Sequence, residues 1–154
     1  MDRFRVSAAL ERAADYIDSH GLEPGGFGRP GGAACVTAAI AIGLNLDPMR
    51  LGLGPFFRPG TCDESERVAE VVLASGLLEM LPPPGTESWQ RRRARPARMS
   101  PRRALLEVAR WSDSPGRTAE QAVRALRSAA FRMVPVAGVR ELIISRTRPA
   151  TKTA

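Results

Sequence analysis

Ala33-Ala34-Cys35-Val36-Thr37-Ala38-Ala39-Ile40-Ala41-Ile42-Gly43 is the most apolar run in the chain, and it has no polar side. A segment apolar all round is buried on every face, so it reads as the core helix around which the other elements must pack. The run is too short to cross a bilayer. Because aromatic residues make up only 5% of the chain, the core has to be built from Ala, Leu, Val and Ile. Small side chains let helices approach closely, which favours helix-on-helix packing over a sheet sandwich.

Amphipathic helices are legible on both sides of this run. Upstream, Leu10, Ala13, Ala14 and Ile17 recur at helical spacing while Glu11, Arg12, Asp15 and Asp18 take the other side, predicting a helix from Ser7 to His20. Ser7 is its expected N-cap, and Gly21 stops it. Pro24 to Gly32 cannot hold a regular element, although a short strand-like piece around Phe27 fits there. Downstream, Asn45 to Gly60 reads as loop, with Phe56 and Phe57 over the core edge. A third helix is expected from Thr61–Asp63 to Met80, with Asp63, Glu64 and Glu66 at the end where the helix dipole favours negative charge.

Pro82-Pro83-Pro84-Gly85 ends that helix, and residues 82–99 read as a mobile basic linker broken by Pro. Ser100-Pro101 opens a fourth helix, expected to stop near Trp111. Thr118-Ala119-Glu120-Gln121 is a capping box, followed by a buried stripe of Ala122, Val123, Leu126, Ala129, Ala130 and Met133. Val136 to Arg148 is open between helix and strand. The expected fold is therefore mostly α. It is one compact domain of about five helices over residues 1–148, with room for a small hairpin, and residues 149–154 form a disordered tail.

The formal net charge is +7, and all but one of the 23 basic residues are Arg, the exception being Lys152. Basic balance of this kind suits an anionic partner, but the Arg, Ala, Gly and Pro usage equally reflects a GC-rich genome. No apolar signal segment is seen near the N-terminus, which implies a cytoplasmic protein without a membrane partner. Two cysteines, Cys35 and Cys62, are too few for a disulfide scaffold. With a single His they cannot form a clustered zinc site, so no metal and no cofactor is expected. Gly25-Gly26-Phe27-Gly28 lacks the strand, helix and Lys that a phosphate-binding loop requires.

Three sets of residues could carry function. A thiol at the start of the apolar helix would have its thiolate favoured by free N–H groups, which makes Cys35 a candidate nucleophile with His20 as base and Asp113 as orienting group. Trp89 with Arg91, Arg92, Arg93, Arg95 and Arg98 could contact a nucleic-acid backbone or a protein partner. Trp111, Asp113, Arg117 and Thr118 could form an anion or partner site at the turn before the capped helix. Ala137-Gly138-Val139 and Ile144-Ser145-Arg146 echo a helix-turn-helix that would aim Arg140 and Arg146 at DNA, but Pro135 interrupts the helix that motif needs. The leading expectation is a non-enzymatic accessory protein acting through protein contacts. A nucleic-acid binder and a cysteine-dependent enzyme are the alternatives.

The residues Ala13-Ala14-Asp15-Tyr16-Ile17, His20-Gly21, Cys35, Ala38-Ala39-Ile40, Trp111, Asp113, Pro115-Gly116-Arg117-Thr118 and Val123 form a pattern. In it the chain resembles an uncharacterised family of small proteins from high-GC Gram-positive bacteria and their phages. The likeness covers about residues 8–45 and 103–133. Ser112 stands where that family has Asn, and Val36-Thr37 where Leu-Gly is common. The resemblance implies a fold neighbourhood and brings no established reaction.

Overall fold

In the computed structural model, which describes residues 1–24, 31–51, 63–82 and 99–134, the chain is mostly helical. The elements are α1 (Arg3–His20), α2 (Val36–Gly43), a 3-10 turn (Pro48–Arg50), α3 (Asp63–Ser75), α4 (Leu77–Met80), α5 (Pro101–Asp113) and α6 (Ala119–Met133). Among the described residues there is no strand. In place of the small hairpin stands one isolated parallel bridge, Leu22 to Ala34.

The apolar run is buried, as its composition demands. Val36 to Ala41 and Gly43 are all withdrawn from solvent. The helix begins later than Ala33 because Ala34 is held in the bridge, donating to Gly21 O at 3.2 Å and accepting from Glu23 N at 3.2 Å. α1 packs most extensively on α6 and on α2, while α3 packs on α5. α2 also meets α3 and α5, so it sits where both pairs come together. One continuous apolar cluster runs from Val6 on α1 to Met133 on α6. Each Leu, Ile or Val fully buried in it contributes about 1.5–3 kcal/mol, far more than any exposed ion pair.

The closest approach is between α1 and α2. A Cβ built on Gly43 would lie 2.2 Å from Ala9 O and 3.2 Å from Ala13 N, so only hydrogen fits there. Arg12 Nε then donates to Gly43 O at 2.7 Å and closes the end of the contact.

Several boundaries differ from expectation. α1 starts one turn before Ser7, because Asp2 caps it by accepting from Arg5 N at 2.9 Å and Val6 adds a buried contact. The Ser7 hydroxyl instead donates to Ala130 O at 3.1 Å, tying α1 to α6. The helix expected to reach Met80 is broken at Gly76, whose φ of 64° is left-handed, leaving α4 as a single turn. α5 runs two residues past Trp111, to Asp113. Of the three predicted N-caps, the other two are present. Ser100 accepts from Arg103 N at 3.3 Å, and the Thr118–Gln121 capping box is complete. Phe27, Phe56, Phe57, Cys62, the linker at 83–98, the helix-turn-helix echo and the tail lie outside the described residues.

Gly43→Ala is expected to destabilise the chain by about 3 kcal/mol, because both neighbouring atoms are backbone and cannot step aside. Gly116→Ala meets nothing within 4 Å and strains only its φ of 78°, so it is expected to cost about 1 kcal/mol. Urea unfolding of the two variants beside the parent tests this order, and a Gly43→Ala chain as stable as Gly116→Ala would contradict the close packing.

Candidate functional site

Two of the sequence-derived sets converge at one corner of the fold, where the end of α5 meets the start of α2. Cys35 is the N-cap of α2 and is 6% exposed. The N–H groups of Ala38, Thr37 and Cys35 itself point at its sulfur, the arrangement that a thiolate would need. Burial outweighs them and pushes the thiol above its usual pKa, and the nearby Asp113 carboxylate adds to the rise. Cys35 thus carries a free, protonated thiol at neutral pH.

Ser112, noted in the sequence only as a departure from Asn, forms the link between the two helices. Fully buried, its hydroxyl donates to Val108 O at 3.2 Å and accepts from Val36 N at 3.4 Å. Its position gives no advance sign of this, since a Ser near a helix end reads equally well as a solvent-facing residue. Thr37, also fully buried, has no hydrogen-bond partner for Oγ1.

His20 is placed differently. It lies at the exposed end of α1, where its ring stacks on Tyr16 at 4.2 Å between centroids. Its Nδ1–H donates to Tyr16 O at 3.0 Å, since a carbonyl can only accept. Tyr16 packs against the Ala34–Cys35–Ala38 cluster and donates its hydroxyl to Gly32 O at 2.9 Å. The aromatic neighbour of the cysteine cluster is therefore Tyr16, with His20 stacked behind it.

Trp111 is fully buried and donates Nε1–H to Pro82 O at 2.8 Å, anchoring the end of α5 under the chain that follows α4. The Arg117 guanidinium lies 5.0 Å from the Trp111 ring centroid, and burial lowers its pKa. Its Nε is buried without a hydrogen-bond partner. Thr118 uses its oxygen for the cap of α6, accepting from Gln121 N at 3.2 Å, so that hydroxyl is committed to the helix. Among the described residues no group of three or more His, Cys, Asp or Glu could hold a metal, and no helix is long and apolar enough to cross a membrane. Trp89, Arg91, Arg92, Arg93, Arg95 and Arg98 lie outside the described residues.

The sequence reading overlooked the solvent face of α6. A groove of ≈ 670 Å³ runs along it, lined by Met80, Val123 and the 69% exposed Phe131 among others. Four ion pairs made by its three arginines accompany it. Arg124 meets Glu120 at 2.6 Å, Arg127 meets Asp15 at 3.1 Å and Asp18 at 3.3 Å, and Arg132 meets Glu79 at 3.0 Å. The repeat Arg124, Arg127, Phe131 at helical spacing is the pattern that could have revealed this face.

A buried, protonated thiol reacts slowly, since the thiolate is the nucleophile. In a Cys62→Ser chain, where Cys35 is the one remaining thiol, reaction with a disulfide reagent is expected to lag a free cysteine at neutral pH. The rate should keep rising with pH after free cysteine has levelled off. A free-cysteine rate at neutral pH would contradict the geometry.

No curated protein and no solved structure matches the chain. A family model does match, over residues 1–132, which takes in α1 through nearly all of α6 and both places described above. The helices, the cysteine corner and the α6 groove are thus features of a chain that belongs to the family of unknown function DUF6197.

Proposed function

We propose that the chain is a non-enzymatic accessory protein, working in the cytoplasm, that binds another protein chain through the outer face of α6. Phe131 carries this reading. The chain has only eight aromatic side chains, and this one is left 69% exposed beside a groove bordered by arginines. Aromatic residues and Arg are the types that anchor protein interfaces. The arginine-for-lysine usage fits the high-GC bacterial or phage source that the resemblance implies.

Catalysis at Cys35 has weaker support. Burial holds its proton on, and His20 is engaged with Tyr16. The nucleic-acid reading draws on residues 89–98, and the α6 face adds nothing to it, because the arginines there are already paired with carboxylates.

Placing a photo-cross-linking residue at position 131, and in a parallel chain at the exposed Arg67 of α3, tests the proposal in the native host. Discrete protein adducts are expected from position 131 and none from position 67. The absence of any adduct at 131 would overturn the reading.

A further inference from the structure

We draw no further inference here: the strongest candidate, the groove on the outer face of α6 lined by Met80, Val123 and the exposed Phe131, is an unpartnered face, and nothing in the structure shows what covers it.

Discussion

Everything in this fold depends on two helices touching backbone to backbone. Gly43 of α2 lies against the Ala9 carbonyl and the Ala13 amide of α1, where a single added carbon has no room. Such closeness is open only to helices lined by the smallest residues, and α1 supplies Ala9, Ala13 and Ala14 on the buried side. With few aromatics available to fill gaps, close approach is how this composition reaches native packing density. Arg12 seals the end of the contact by donating to the Gly43 carbonyl, satisfying an acceptor that the helix end would otherwise leave open.

Fixing the end of α2 also fixes its beginning. An eight-residue helix is about 12 Å long, so with Gly43 pinned there is little freedom in where Cys35 can lie. The buried Ser112 hydroxyl then ties the first amide of α2 to the end of α5. The thiol is caught between opposing influences. Helix amides favour its thiolate, while burial and the Asp113 charge favour its proton, and burial is the largest of these. A thiol at a helix start is therefore not reactive merely by its position. The balance turns on how much protein covers it, which is a property of the packing.

Local chemistry was readable where it is self-contained. The Thr118–Gln121 box and the Ser100-Pro101 start are each complete within four residues, and both stand in the structure. The buried stripe of α6 follows from its period alone. Failures occur where a distant element decides. Ser7 looks like a cap within its own stretch, yet its hydroxyl serves Ala130, more than a hundred residues away, and Asp2 caps the helix one turn earlier. The left-handed turn at Gly76 interrupts a periodic apolar pattern that gave no warning. Of the candidate sites, the sequence set Cys35 with Asp113 and His20, and Trp111 with Asp113, Arg117 and Thr118, as two groups. Their neighbourhood emerges only once α5 is laid against α2. The α6 face escaped notice because its exposed Phe131 sits in a polar stripe, where a lone aromatic reads as incidental.

The arginines of α6 show how a strongly basic chain can still present a balanced surface. Arg124 is neutralised within its own helix, one turn from Glu120, whereas Arg127 and Arg132 reach across to α1 and α4. These cross-helix pairs are exposed, so their stabilising value is modest. Their larger effect is on the field. By gathering carboxylates from three helices around one groove, the fold balances the charge of the arginines there. Phe131 lies within this balanced region. An exposed aromatic set in a strongly single-sign field would be shielded by repulsion from any similarly charged neighbour. In a balanced field its apolar area is free to act at contact distance, which is where hydrophobic burial operates.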